Sequence, residues 1–279
     1  MNLIEQKVLE GERALFKQKD LKLRFCTFDN GESPLKECSN IDIDTTLFKW
    51  KYPMWYGENF TLRNCTMFDM ARAGIWYTSN IFMTDCDIQA PKAFRRTTGI
   101  RLENVYFSNA DETLWHCKDV HLKNVVVAAG NYFGMNSSDM EIDGFKIDGN
   151  YTFDGCCNIT VRNARMLSKD AFWNAENVTV YDSYISGEYL GWNSRNVRFV
   201  NCTIESLQGM CYMDNVVLEK CTLINTNLAF EYSTVKADVT NTIDSIKNPV
   251  SGIVKAGRIM EVIFNDPEIE PSKTTIIHE

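Results

Sequence analysis

The feature that most constrains this chain is a repeat, because an apolar residue opens a similar segment every 19–21 residues. The twelve segments begin at Leu21, Ile41, Phe60, Ile81, Ile100, Val120, Met140, Ile159, Val178, Val197, Val216 and Val235. A period near 20 residues is typical of solenoids, in which each repeat packs only on its neighbours. The 279 residues therefore predict one continuous core and a single domain.

Each segment starts with the pattern of a half-buried strand. The residue two places after the start is again apolar, as in Leu23 and Ile43, and the residue between them is usually polar. Asn, Asp or Gly then recurs four residues after the start and again just before the next one, and these residues tolerate the left-handed backbone of a tight bend. We predict an all-β fold, a single-stranded right-handed parallel β-helix of about twelve turns with three short strands in each. A leucine-rich repeat or a left-handed β-helix would need signatures that are not present.

The two ends depart from the repeat. We predict that residues 1–20 form an N-terminal cap and a first partial turn, and that residues 21–242 form the repeat turns. Residues 243–279 hold three of the six prolines, and their short apolar runs predict a C-terminal cap. Both caps would protect exposed strand edges.

Composition limits the partners and the compartment. The net charge of -8 argues against nucleic acid, and no apolar run approaches the roughly 20 residues of a membrane span. Most of the ten cysteines occupy small-residue positions of the repeat, which predicts buried, reduced thiols. The N-terminus lacks the pattern of a signal peptide, so we expect a cytoplasmic protein. We expect no metal and no cofactor, because no ligand spacing supports one.

The third segment of each turn carries most of the tryptophans in one register. This register holds Phe16, Lys36, Trp55, Trp76, Arg95, Trp115, Met135, Asp154, Trp173, Trp192, Cys211 and Phe230. Strand alternation favours outward side chains here, because Lys36, Arg95 and Asp154 would be costly to bury. Inward packing of the rings is the alternative. An outward column of rings and charges is typical of an interaction surface.

Such a surface suits a carbohydrate or sugar-like ligand, since rings stack on sugar faces while charged groups bond hydroxyls. The residues that we expect to bind it are Trp55, Trp76, Arg95, Arg96, Trp115, Trp173, Trp192, Lys92, Lys169 and Glu188. Two alternatives stay open: the surface could join subunits of a homo-oligomeric scaffold, or the rings could support one another and bind nothing.

Catalysis is a further hypothesis, because glycoside hydrolysis needs two carboxylates about 5–10 Å apart. Asp154 and Asp170 are about one turn apart in register, and Asp111 with Glu112 is a second candidate pair. Ion pairing with Lys92 and Lys169 across neighbouring turns competes with this role. Uniform turns also leave little loop from which to build a closed pocket.

Several motifs resemble a bacterial family of β-helix proteins that carries a "domain of unknown function" label and is related in fold to the pectin lyases. They include GERALF (11–16), KYPMWY (51–56), PKAFRR (91–96), SKDAFWN (168–174) and GEYLGWN (187–193). The resemblance covers nearly the whole chain and implies the same fold, but no catalytic residue. Because that wider fold group includes lyases, hydrolases and esterases of polysaccharides, it implies a sugar ligand only by association.

Overall fold

A computed structural model describes residues 1–278, and the chain divides into two units, Met1–Asp148 and residues from Gly149 onward. Each unit is a parallel β-solenoid, because every strand pairs in parallel with the corresponding strand one turn away. In the first unit Ile41 pairs with Leu21 and Phe60, and in the second Val178 pairs with Ile159 and Val197. The predicted all-β parallel β-helix is confirmed.

The first unit contains three columns of strands. The first column consists of Asn2–Glu5, Lys19–Arg24, Ser39–Asp44, Glu58–Arg63, Ser79–Thr84, Thr98–Glu103, Lys118–Lys123 and Ser138–Asp143. The second consists of Val8–Glu10, Thr27–Asp29, Leu47–Phe48, Thr66–Met67, Asp87–Ile88, Tyr106–Phe107 and Val126–Asn131. The third column is shorter and consists of Met54–Trp55, Ile75–Trp76 and Phe94–Arg95. The strand Lys146–Asn150 contains the division between the units.

The second unit has the same first two columns. The first consists of Cys157–Arg162, Glu176–Tyr181, Arg195–Val200, Asp214–Ile224, Thr234–Lys247, Ser251–Ile263 and Thr274–His278. The second consists of Arg165–Lys169, Tyr184–Ser186 and Thr203–Glu205, and the long strands that follow continue through both columns. Three strands per turn were expected throughout, but in this unit the third segments lie in turns.

The first column holds eight strands in the first unit and seven in the second, so there are about fifteen turns rather than the predicted twelve. The extra turns lie at the two ends, where the start position is not a large apolar residue. Asn2 pairs with Leu21, Gly252 with Val235, and Thr274 with Gly252. The apolar periodicity therefore underestimates the number of turns, because parallel backbone pairing continues where the start residue is no longer apolar.

The interior and the bends follow the sequence pattern. The start residues and those two places later are almost all buried, as are nine of the ten cysteines, while Cys157 is half-buried. The predicted bend residues have a left-handed backbone, with φ of 53° at Asn64 and 55° at Asn80. Their amides form ladders, in which Asn80 donates to Asn59 at 2.9 Å and Asn59 donates to Asn40 at 3.0 Å.

Helices contribute little to the described residues. Two 3₁₀ turns, Asp69–Ala71 and Pro271–Lys273, are the only helical segments in residues 1–278. No helix in this range has the length and apolarity needed to cross a membrane.

Candidate functional site

In the first unit the tryptophan register forms an inner ladder, which we define as Trp55, Trp76, Arg95 and Trp115. The rings of Trp55 and Trp76 stack with centroids 5.2 Å apart and planes 6° apart. The Arg95 guanidinium lies 4.5 Å from the centroid of Trp76 and 4.6 Å from that of Trp115, so it occupies one step of the same stack. Two desolvating rings favour a cation at this position.

The indole N–H groups of the register are also used internally. Each donates to a main-chain carbonyl in the bend of the following turn: Trp55 to Ala73 (2.6 Å), Trp76 to Lys92 (2.9 Å), Trp115 to Tyr132 (2.7 Å), Trp173 to Tyr189 (2.7 Å) and Trp192 to Gln208 (2.7 Å). All five rings are half-buried, neither freely exposed nor packed in the core. Since neighbouring rungs cover their faces, the rings offer edges rather than open faces to a ligand.

An outer ladder runs beside the inner one, one residue further along each turn, and we define it as Tyr56, Tyr77, Arg96 and His116. All four have a left-handed backbone and all are exposed. The rings of Tyr56 and Tyr77 stack 4.9 Å apart, with planes 5° apart, and the Arg96 guanidinium lies 5.9 Å from the centroid of Tyr77. This bend was missed in the sequence, because it carries Tyr, Arg and His instead of Asn.

The charges of this first-unit face are partly paired. Glu112 binds Lys92 at 3.2 Å and Arg95 at 3.1 Å, both through Oε2. Asp111, the other predicted carboxylate, accepts from the backbone and side-chain amides of Asn131 at 2.8 and 3.1 Å. The candidate pair Asp111–Glu112 is therefore already engaged in holding the turns together.

Three further cations lie on or beside this face, and none has a carboxylate within 4.0 Å among the described residues. They are Lys36, Arg72 and Arg96. Lys36 lies 5.5 Å from the centroid of Tyr56, next to the outer ladder. The face thus presents free positive charge although the chain as a whole is acidic.

In the second unit the same register brings Trp173 and Trp192 together, with centroids 5.8 Å apart and planes 5° apart. Tyrosines approach these indoles at steep angles: Tyr151 lies 5.7 Å from Trp173 at 86°, and Tyr189 lies 5.0 Å from Trp192 at 69°. Among residues 1–278, no cation takes a step of this stack. Lys169 instead pairs with Glu188 at 3.1 Å in the adjacent bend.

The second-unit carboxylates lie next to these rings. Asp170 is only 2% exposed, and its Oδ1 has no hydrogen-bond partner among the described residues. Desolvation raises the pKa of Asp170, while the charge of Lys169 and a hydrogen bond from Tyr151 oppose the shift, and Glu188 and Asp154 add to it. Asp154 accepts from Asn174 at 2.8 Å. The structure therefore places Asp154 close enough to Asp170 for their charges to interact.

Two members of the register predicted to point outward do not: Cys211 is in register but fully buried, and Phe230 is out of register. Phe230 pairs with Met210 and is fully buried, so it belongs to the inner apolar positions. Glu231 lies opposite Cys211 in its place, and its carboxylate binds Lys247 at 2.8 Å. The expected spacing failed by one residue because the turn before it is one residue longer than the pattern assumed. Within residues 1–278, no group of three or more His, Cys, Asp or Glu side chains is placed to hold a metal ion.

Comparisons with known proteins give a family but no activity. A family model described as "Protein of unknown function (DUF3737)" matches residues 2–277. No curated protein matches the chain. Among solved structures, the chain is similar to the A-module of the mannuronan C-5 epimerase AlgE4 of Azotobacter vinelandii (11% identity, 99% of this chain and 88% of that one, TM-score 0.31). It is also similar to QnrB1, a plasmid-mediated fluoroquinolone resistance protein (14% identity, 80% and 92%, TM-score 0.27). A third similar structure is the tailspike of E. coli bacteriophage HK620 in complex with a pentasaccharide (10% identity, 94% and 60%, TM-score 0.29).

Proposed function

The chain belongs to the DUF3737 family, and we propose that it binds a carbohydrate or sugar-like ligand along the inner and outer ladders of its first unit. The observation that carries the proposal is the outer ladder, whose exposed tips combine hydroxyl, guanidinium and imidazole groups in a regular column. Tyr56 is 50% and Tyr77 38% exposed. Such groups hydrogen-bond hydroxyls from both sides, as donors and as acceptors.

The inner ladder makes this column rigid before a ligand arrives. Trp55, Trp76 and Trp115 are fixed by bonds to the main chain, and Arg95 is held between two of them. A preorganised surface loses little side-chain entropy on binding. Because the ring faces are covered, recognition uses ring edges and polar tips, not the stacking on sugar faces that the sequence suggested.

The charge of the face supports an acidic sugar over a neutral one. Arg96 and Lys36 have no carboxylate partner among residues 1–278, and Arg96 lies at the end of the exposed tyrosine stack. A guanidinium binds a carboxylate through two parallel hydrogen bonds, and this geometry gives specificity as well as energy. The spacing of rungs, about 4.8 Å, would let one extended chain contact several turns.

Affinity electrophoresis against polygalacturonate and dextran tests this proposal. We expect the protein to be retarded by the acidic polymer and not by the neutral one. Arg96→Ala should weaken retardation by about tenfold, since a charge-assisted hydrogen bond contributes roughly 1.5–3 kcal/mol. Asn193→Ala, at the corresponding position of the second unit, is the matched control and should have no effect.

Equal mobility in both gels, or equal loss in the two variants, contradicts a binding face in the first unit. The assembly alternative has a separate readout, because sedimentation equilibrium reports mass. A dimer that Arg96→Ala dissociates would assign the face to contacts between copies of the chain.

A carbohydrate-active enzyme is the second candidate, and Asp170 in the second unit favours it. A carboxyl with a raised pKa beside a second, interacting carboxylate is the arrangement that acid catalysis of glycoside cleavage requires. Asp170→Asn should abolish any release of reducing ends from an added polysaccharide, whereas Asp111→Asn should not. Loss in neither variant, or no release by the unmodified protein, contradicts this candidate.

For the location we propose the cytoplasm. All ten cysteines are free and nine are buried, as expected for a protein that folds under reducing conditions.

A further inference from the structure

The asparagine ladder of the first unit is interrupted at Gly99. Along this bend Asn59 and Asn80 are linked by side-chain hydrogen bonds, but the next residue in register, Gly99, has no side chain, and Asp119 follows it. Asn80 Oδ1 lies 2.7 Å from the point that a Cβ of Gly99 would occupy, so the oxygen points into the gap. No group among the described residues donates to this oxygen.

A groove of about 330 Å³ opens at this gap, on the outer face of the first strand column. Asn80, Phe82, Gly99, Arg101 and Asp119 are among the residues that line it. The volume is at the lower end of the range for small-molecule pockets, roughly 300–1,000 Å³. The groove is separate from the two ladders of the third segments, because none of their residues lines it.

Phe82 gives this groove an open aromatic surface. Its neighbours in register are Thr61 and Arg101, and its ring stacks on no other ring of the part of the chain that the structure describes, unlike the rings of the inner ladder. It is 36% exposed and lies two residues from Asn80 on the same side of one strand, so the Cα atoms of the two residues are about 7 Å apart. An apolar surface and an acceptor with no donor from the described residues thus face the same groove.

Asp119 closes the other side of the gap. Its carboxylate is held by Arg101, at 3.2 Å from Oδ1, and by His121, at 3.2 Å from the same oxygen. In a complete ladder an amide at position 99 would donate to Asn80 and could donate its second N–H to Asp119. Two acceptors therefore flank the missing rung, with no donor between them.

We propose that the Gly99 groove binds a small flat-ring molecule that carries an NH₂ donor group, such as a primary carboxamide. The NH₂ group takes the place of the missing asparagine side chain and donates to Asn80 Oδ1 and the Asp119 carboxylate. The ring lies against Phe82. This site is independent of the carbohydrate face and uses none of its residues.

Saturation-transfer NMR and calorimetry with benzamide as the probe test the proposal. N,N-dimethylbenzamide has the same ring but no N–H donor, and we expect it not to bind. Gly99→Asn fills the missing rung, because Gly99, with a φ of +69°, lies in the same left-handed region as Asn80, with a φ of 55°. The substitution should weaken benzamide binding by at least about tenfold. Gly144→Asn is the matched control, because Gly144 also faces an asparagine oxygen, that of Asn124 at 2.6 Å, at a φ of +70°, but does not line the groove.

Phe82→Leu is a second variant that keeps an apolar side chain while removing the ring, and it should also weaken binding. The expected pattern is binding by the unmodified protein and by Gly144→Asn, with loss in the other two. Absence of benzamide binding to the unmodified protein overturns the proposal. So does equal binding of the dimethyl compound, or unchanged binding in Gly99→Asn.

Discussion

In the third segments, the tryptophan register holds the cation Arg95 in the first unit and the carboxylate Glu231 in the second. In the first unit Arg95 stands between two indoles and shares Glu112 with Lys92, so the carboxylate has two cations. In the second unit Glu231 occupies this register and pairs with Lys247, while the buried Asp170, three residues before the register position of Trp173, has no ion pair among residues 1–278.

This difference shows that the backbone repeat does not determine the charge of the side chain at the register position. The half-buried position of Arg95 accepts a cation because rings flank it, whereas the buried positions of Glu231 and Asp170 accept a carboxylate because one cation or a hydroxyl donor reaches it. We therefore place the proposed acidic ligand on the first unit and the proposed proton transfer on the second. Each of the following changes tests one side of this contrast.

The largest effect should come from Lys247→Met in the second unit. It leaves Glu231, which is 8% exposed, without its only cation, and breaking such a buried pair costs about 3–5 kcal/mol. Lys92→Met in the first unit is the matched control, because Glu112 keeps Arg95, and it should cost less than about 1 kcal/mol. Urea unfolding measures both. If the two variants lose similar free energies of unfolding, the number of cations paired with a carboxylate does not determine its contribution to stability.

A smaller effect is expected for Arg95→Leu, which removes the cation from between Trp76 and Trp115. Two cation–π contacts are lost, and we expect the free energy of unfolding to fall by about 2 kcal/mol, with a shift in tryptophan fluorescence. Arg162→Leu removes a guanidinium over the single ring of Tyr181, at 3.9 Å on an exposed site, and should cost below about 1 kcal/mol. If Arg95→Leu is as mild as its control, the inner ladder is not a source of stability.

Much of the fold was predictable because the repeat acts through one simple constraint. Inward positions must be apolar, and two of the bends favour Asn, Asp or Gly. The residue types of Ile41, Ile43 and Asn64 therefore predict their positions in the turn. The turns that begin at Asn2 and Thr274 were not predictable, since backbone pairing alone continues the solenoid there.

The site was less predictable, because its properties depend on neighbours in adjacent turns. The register of Trp55 and Trp76 was visible in the sequence, but the stacking that covers their faces was not. Arg96 was among the predicted binding residues and Tyr77 was not, and the left-handed bend that both occupy was missed, because the sequence gives no sign that Tyr or Arg adopts such a backbone. The interruption at Gly99 is visible only once the bend asparagines are known to bond one another.

The smallest of these effects concerns Asp170 and has a defined pH dependence. Desolvation raises the pKa of Asp170 in the folded protein, so the folded state holds the proton more tightly than the unfolded chain does. Ionisation of Asp170 therefore lowers stability as the pH rises from the ordinary Asp value of about 3.9 through the raised one. Asp170→Asn should remove this cost and raise the free energy of unfolding at neutral pH by about 1 kcal/mol, since the amide oxygen can still accept from Tyr151.

That gain should disappear at about pH 3, where Asp170 is protonated in both states. Asp154→Asn is the control: Asp154 accepts from Asn174, and we expect no gain at any pH. Denaturant unfolding of the three proteins at a series of pH values measures the effect. If the gain in unfolding free energy of Asp170→Asn persists unchanged at low pH, the ionised carboxylate is not its source. The contrast between a carboxylate in the second unit and a cation in the first would then rest on Glu231 alone.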